Sequence, residues 1–301
     1  MDVLKRFKEV RKYTETLCNP LKVEDYIPQA QAFVSPPKWH LAHTTWFYEE
    51  MILKLNLKSY QVFDEDYNFL FNSYYNSLGK RISREHRGLI TRPSVDTVYQ
   101  YRSYVNKHME ILLNSSQTDK QILKLVILGI NHEQQHQELL ITDIKFTLSH
   151  NPTNPKLYDT SYNNSNSETK PLKFLEVKEG VYDIGYTGKD FCYDNELDAH
   201  RVFLESYAIA NRLITNGEYL EFIEANGYST SKYWLDGGWT YINAQQIKKP
   251  LYWAKDQNQW YVYTLAGREP LNLDAPVTHI SFYEAHAFAN FQNKRLATEF
   301  E

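Results

Sequence analysis

The chain has 301 residues, with 33 Lys and Arg against 37 Asp and Glu, which gives a formal net charge of −4. This acidic balance argues against general nucleic-acid binding, because neutralising phosphates needs a basic face. The sequence has no apolar run long enough to span a membrane, and its charged first residues lack the apolar core of a signal peptide. Its two cysteines are too few for a disulfide framework. We therefore expect a cytoplasmic protein with neither membrane nor nucleic-acid partners, and the length suggests two domains.

The first half of the chain carries apolar residues at helical spacing. At Thr118 the sequence has the spacing of a capping box, which predicts that a long helix begins there. Four long helices within residues 1–150 predict a four-helix bundle. The predicted helices span residues 2–17, 37–55, 95–109 and 118–148.

The composition and the spacing of apolar residues change after residue 150. Residues 151–170 are rich in Asn and Ser and bury too little apolar surface to order themselves, so we predict a linker. Residues 171–301 alternate short strand-like stretches with helix-like segments, which indicates an α+β domain. The predicted strands are 174–177, 181–184 and 202–204, and the predicted helices are 216–225 and 283–291.

Two close pairs of histidines favour a metal site. His132 and His136 are four residues apart, so their imidazoles lie on one face of the long helix, one turn apart. A third ligand must come from another helix, and we prefer His43 to His40 because His43 lies one turn from the apolar anchor Trp39. Three neutral imidazoles suit Fe, Zn, Cu or Ni. The simpler alternative is that these are hydrogen-bonded structural histidines.

Residues 132–136 also spell His-Glu-x-x-His, the signature of zinc peptidases in which the Glu, here Glu133, is the general base. The further Gly and His of the metzincins do not follow His136, and the helix runs into the Asn/Ser-rich segment without offering a Glu ligand on a next helix. We therefore regard a peptidase as the less favoured alternative.

Several segments resemble the signatures of the ergothioneine-biosynthesis sulfoxide synthases. The two histidine-bearing segments are residues 35–49 and 131–140, and further similarity runs through residues 194–196, 214–219, 234–239, 250–253 and 276–281. The resemblance implies a multidomain α and α+β fold. In it, an N-terminal DinB-like four-helix bundle precedes a partial C-type-lectin-like domain of the formylglycine-generating-enzyme type.

The resemblance also implies the chemistry. Members of this family hold a non-haem iron(II) with three histidines, which map onto His43, His132 and His136. They use O₂ to join the thiol of γ-glutamylcysteine or cysteine to C2 of hercynine, which gives a sulfoxide. Metal coordination lowers a thiol pKa and so makes the nucleophilic thiolate available at neutral pH.

Three residues match family positions that bind substrates. Gln135, next to His136, matches a position that helps to bind the betaine, although it is equally consistent with an exposed helix glutamine. Arg84 and Arg87 lie in a basic segment that resembles the one supplying arginines to the thiol's carboxylates. Arginine forks suit carboxylates through bidentate hydrogen bonds, but an arginine run is also typical of a solvated face.

Relatives continue beyond the segment that matches residues 295–301, and the family's catalytic tyrosine lies in that continuation. We therefore expect a truncated chain, assign no catalytic residue, and expect Phe282, Phe288 and Phe291 to be exposed. Two alternatives stay open: an ovothiol-type synthase that joins cysteine to histidine, and a catalytically silent metal-binding protein.

Overall fold

A computed structural model describes residues 2–73, 81–116, 118–159 and 169–301. The chain divides into two compact units, Met1–Tyr158 and Asp159–Glu301. The first unit is helical and the second mixes helices with short antiparallel strands, which confirms the predicted fold class. The centre of the predicted linker, residues 160–168, lies outside the described residues. Within the described ranges, none of the helices is both long and apolar enough to cross a membrane.

Four long helices form the first unit, as predicted, with α1 packed on α6, and α2 packed on both α5 and α6. A π-helical turn, Glu49–Leu53, continues α2 into the short α3, so the predicted helix over residues 37–55 is one continuous segment. The helices are α1 (Val3–Cys18), α2 (Pro37–Tyr48), α3 (Lys54–Asn56), α4 (Tyr67–Phe71), α5 (Val95–Leu113) and α6 (Lys120–Ser149).

Helix α6 begins at Lys120, two residues later than predicted, and its N-cap lies one residue after Thr118. The N-cap is Asp119, whose carboxylate accepts from the backbone N–H groups of Gln121 and Ile122, both at 2.8 Å. Thr118 instead donates its hydroxyl to the carbonyl of Leu112 at 2.6 Å. One carboxylate oxygen satisfies two of the unpaired amides at a helix start, and its charge favours the positive end of the helix dipole.

In its described residues, the second unit combines antiparallel strands with three α-helices around an aromatic core. Strands β1 and β4 pair, β2 and β3 pair, and β5, β6 and β7 form a three-stranded sheet, all antiparallel. The strands are β1 (Phe174–Val177), β2 (Gly180–Ile184), β3 (His200–Leu204), β4 (Tyr207–Ala210), β5 (Trp253–Asp256), β6 (Gln259–Thr264) and β7 (Gly267–Pro270). The helices are α7 (Asn216–Glu224), α8 (Asp236–Ala244) and α9 (Phe282–Phe291).

The expected exposure of three phenylalanines is correct only for Phe282, which is 62% exposed. Phe288 is buried in the core of this unit, where its ring lies 5.3 Å from that of Tyr219, and Phe291 packs against the same core. The reason is helical phase, because Phe288 lies on the same face of α9 as the buried residues Glu284 and Ala287.

Candidate metal centre

The packing of α2 against α6 brings the three predicted ligands together. His43, His132 and His136 each place a ligand nitrogen within 4.8 Å of the other two. The ring centroids of His132 and His136 are 4.6 Å apart, and His43 lies 5.1 and 4.7 Å from them. His43 is buried, and His132 and His136 are partly buried.

Close approach of the two helices depends on Gly129, which lies one turn before His132 on α6. A Cβ atom there would lie 2.7 Å from the Tyr48 ring and 3.0 Å from the Phe47 ring of α2. The absence of a side chain therefore lets α6 pack directly against α2. Phe47 also packs on His132, with ring centroids 4.9 Å apart.

The orientation of His43 is fixed by two indoles and a carbonyl. Its imidazole stacks on Trp39 at 4.5 Å and on Trp46 at 5.5 Å between centroids. Its Nδ1 lies 2.6 Å from the Phe71 carbonyl oxygen. A carbonyl only accepts, so Nδ1 carries the proton and Nε2 keeps its lone pair for a metal.

Burial keeps the three imidazoles neutral. It lowers the pKa of His132 to about 4, and it lowers the pKa values of His43 and His136 well below the usual range, with help from neighbouring imidazoles. Neutral imidazole is the form that binds metals. The buried Nδ1 of His132 has no hydrogen-bond partner among the described residues, which is the kind of orphaned atom that a bound ion explains. The residues therefore fit a first-row transition-metal ion such as Fe, Zn, Cu or Ni.

Glu133 is turned away from this site, into the interior of the bundle. It is fully buried, and its two carboxylate oxygens each lie 3.0 Å from a guanidinium nitrogen, one of Arg11 and one of Arg102. Thr14 donates a further hydrogen bond of 2.7 Å. Burial alone would raise the pKa of Glu133, but the two arginine charges outweigh it and lower the pKa to about 2. A carboxylate held in this way cannot act as the general base of a peptidase, so the geometry argues against that alternative.

Two residues beside the site were not assigned from the sequence. His40 Nδ1 lies 2.9 Å from His136 Nδ1, and His40 Nε2 lies 3.0 Å from Asp143 Oδ2. The same carboxylate oxygen accepts the backbone N–H of Ser35 at 2.7 Å. The available signal was the position of Asp143 seven residues after His136, two helical turns along the same face.

The three predicted substrate-binding residues lie in different surroundings. Gln135 is exposed on α6, next to His136. Arg84 is exposed and donates to the carbonyl of Phe33. Arg87 is buried, and its guanidinium carbon lies 3.4 Å from the centroid of the Trp39 ring. Their roles toward substrates stay predictions.

Both halves of the chain are similar to known protein families. The profile of the DinB superfamily matches residues 6–140, and that of the sulfatase-modifying factor enzyme 1-like domain matches residues 160–301. The chain is 30% identical to a hercynine oxygenase of Mycobacterium tuberculosis over 175 residues, which cover 57% of this chain and 40% of that protein. Ergothioneine biosynthesis protein 1 of Schizosaccharomyces pombe is 33% identical over 113 residues, 37% of this chain and 12% of that protein. The bovine formylglycine-generating enzyme is 24% identical over 143 residues, 44% of this chain and 38% of that enzyme.

These matches confirm the two-domain resemblance that the motifs indicated. The chain spans about two fifths of the length of the mycobacterial hercynine oxygenase that it matches. The matched segments therefore show which families the two halves of the chain resemble, and the activity of the longer relatives is a separate question.

Proposed function

We propose that this chain, which combines a DinB superfamily domain with a sulfatase-modifying factor enzyme 1-like domain, is an iron(II)- and O₂-dependent sulfoxide synthase. In this proposal it joins the sulfur of γ-glutamylcysteine or cysteine to C2 of hercynine. The observation that carries it is the cluster of His43, His132 and His136, in a chain similar to proteins named hercynine oxygenase. The metal, the substrates and the reaction are all part of the proposal.

The proposed reaction balances without an added reductant. The thiol loses its S–H proton and hercynine loses its C2–H proton as the C–S bond forms, which releases two electrons. Oxidation of the sulfur to the sulfoxide releases two more. One molecule of O₂ takes up all four electrons, so that one of its oxygen atoms ends on sulfur and the other leaves as water with the two protons.

The three candidate ligands support this reaction because they are uncharged. When bound, iron(II) would supply the O₂ chemistry and a positive charge that favours the thiolate form of the substrate. Three neutral imidazoles hold such an ion without cancelling its charge. The contacts of Trp39 and the Phe71 carbonyl with His43 keep one of these imidazoles in a fixed orientation.

The substrate-binding part of the proposal assigns Gln135 to the betaine and Arg84 with Arg87 to the carboxylates of the thiol substrate. Arg84 is exposed and so is accessible to a carboxylate. Arg87 is buried against Trp39, which stacks on His43, so a change at Arg87 would also disturb the metal site. Arg84 is therefore the better position at which to test carboxylate binding alone.

The test is product analysis by mass spectrometry after incubation of the purified chain with iron(II), O₂, hercynine and each thiol. A sulfoxide that needs both O₂ and iron(II), and that disappears in the His132→Ala variant, supports the proposal. Sulfoxide formed from histidine and cysteine, but not from hercynine, would identify an ovothiol-type synthase instead. A chain that binds iron(II) but forms neither product would be a catalytically silent metal-binding protein.

A further inference from the structure

Beside the candidate metal centre, successive hydrogen bonds join His40 on α2 to two side chains of α6 that lie far from it in the sequence. Asp143 on α6 contacts His40 on α2, and His40 contacts His136, again on α6, at 3.0 and 2.9 Å respectively. His40 is 2% exposed and Asp143 is 6% exposed, so water competes little for these bonds.

The direction of each bond follows from what each group can donate. The Asp143 carboxylate only accepts, and the same oxygen already accepts the backbone N–H of Ser35 at 2.7 Å. His40 must therefore carry its proton on Nε2, which leaves Nδ1 as an acceptor. The partner of that acceptor is His136 Nδ1, so His136 must donate from Nδ1 and keep the lone pair on Nε2.

We propose that His40 and Asp143 are positioning residues that fix the tautomer and ring orientation of His136, so that its Nε2 is available to the metal. The inference rests on the proposed metal site, but not on which substrates the protein uses. Metal-binding histidines commonly donate their second N–H to a carboxylate or carbonyl, and such partners matter for metal affinity. Here the carboxylate acts through an intervening histidine.

His43 is also held as the Nδ1–H tautomer, but by a backbone carbonyl. The Phe71 carbonyl accepts from His43 Nδ1 and leaves its Nε2 free. Two of the three candidate ligands are thus held as the Nδ1–H tautomer before any ion binds. Free histidine in water prefers the opposite, Nε2–H tautomer, so this arrangement must be imposed by the protein.

The direct test is long-range ¹H–¹⁵N NMR on the metal-free, ¹⁵N-histidine-labelled chain, with signals assigned from single histidine variants. We expect a proton on Nε2 of His40 and on Nδ1 of His136. His43, held by a backbone carbonyl, serves as an internal reference for the Nδ1–H tautomer. A proton on Nε2 of His136, or protons on both nitrogens of His40, would overturn the inference.

A pair of variants at His40 tests the effect on metal binding. In His40→Gln the amide can donate to Asp143 and accept from His136, whereas in His40→Phe a ring of similar size can do neither. Titration with Co(II), followed by its visible absorption, should show affinity lowered about 10- to 100-fold in the Phe variant and largely kept in the Gln variant. Wild-type affinity in a folded Phe variant, or no rescue by Gln, would contradict the positioning role. If the Phe variant does not fold, the NMR result on the unaltered chain decides.

These readouts separate the inference from the proposed function. If the tautomers are as expected but no sulfoxide forms, the proposed function fails and the positioning role stands. If sulfoxide forms while metal-free His136 carries its proton on Nε2, only the positioning role fails.

Discussion

The Arg87 guanidinium carbon lies 3.4 Å from the centroid of the Trp39 ring, close enough for a cation–π contact within the buried part of the bundle. The same indole stacks on His43, at 4.5 Å between centroids and 11° between planes. Arg87 is further held by hydrogen bonds to the hydroxyls of Ser35 and Ser73, at 2.9 and 3.2 Å. A residue predicted to bind a carboxylate is thus also part of the support for a candidate metal ligand.

This relationship predicts that Arg87→Lys weakens both the fold and metal binding. Lysine keeps the charge but loses the planar stacking surface and the two-nitrogen fork that reaches Ser35 and Ser73. We expect a loss of about 1–3 kcal/mol in the free energy of unfolding, measured in urea, and lower Co(II) affinity. The matched control is Arg84→Lys, at an exposed position, which should change stability by less than about 0.5 kcal/mol. Unchanged stability and metal affinity in Arg87→Lys, with a higher KM for the thiol, would show that Arg87 acts only on substrate.

Glu133→Gln should destabilise the bundle severely. The change removes the carboxylate that the buried guanidinium groups of Arg11 and Arg102 share, and leaves Arg102 only its longer contact of 3.6 Å with Glu15. Breaking a buried ion pair from one side costs about 3–5 kcal/mol. Urea unfolding measures this loss. Glu138→Gln, at an exposed position of the same helix, is the control and should be nearly neutral. A peptidase would give the opposite pattern, with a stable Glu133→Gln variant that has lost only the ability to cleave peptides.

Gly129→Ala should destabilise the protein although alanine is the better helix former. Helix propensity alone favours alanine by about 1 kcal/mol. Against this, the new Cβ would lie 2.7 and 3.0 Å from the buried rings of Tyr48 and Phe47, so α2 and α6 must move apart. We expect a net loss of about 1–3 kcal/mol, by analogy with overpacked cores, together with weaker Co(II) binding. A variant more stable than the wild type would show that the helices are not in such close contact.

The two cysteines should differ sharply in reactivity. Burial raises the pKa of the Cys18 thiol to about 12, so it stays protonated and inaccessible near pH 8, whereas Cys192 is partly exposed. Because the thiolate is the reactive form, iodoacetamide should label one thiol in the native protein and two in urea. Raising the pH from 8 to 9 should still leave Cys18 unlabelled in the native protein. Rapid native labelling of Cys18, located by peptide mass spectrometry, would contradict this burial.

Much of the first unit follows from the sequence because helical periodicity is local. The spacing of His132 and His136 placed both on one face of α6, and the periodicity of the first 150 residues gave the four helices. The position of Asp119 as N-cap was missed because its neighbour Thr118 has equally suitable chemistry. Only the folded chain decides which of the two side chains turns toward the helix amides.

Contacts between residues that are far apart in the chain could not be predicted from the sequence. His40 and Asp143 are 103 positions apart, and no pattern within either helix indicates that they meet. The motif around Glu133 likewise left a peptidase open as the less favoured alternative, and the sequence did not indicate that Glu133 pairs with Arg11 and Arg102. Partners of buried polar groups are set by how helices pack, which single-helix periodicity does not encode.

The most direct test of the proposed three-histidine iron site is the metal content of the purified chain, together with anaerobic iron(II) binding, measured beside the His132→Ala variant. A matched control is His86→Ala, because His86 is exposed and lies outside the three-histidine cluster. We expect one tightly bound iron in the wild type and in His86→Ala, and none in His132→Ala. A folded chain that binds no metal, or that holds stoichiometric zinc which iron cannot replace, would contradict the proposed site.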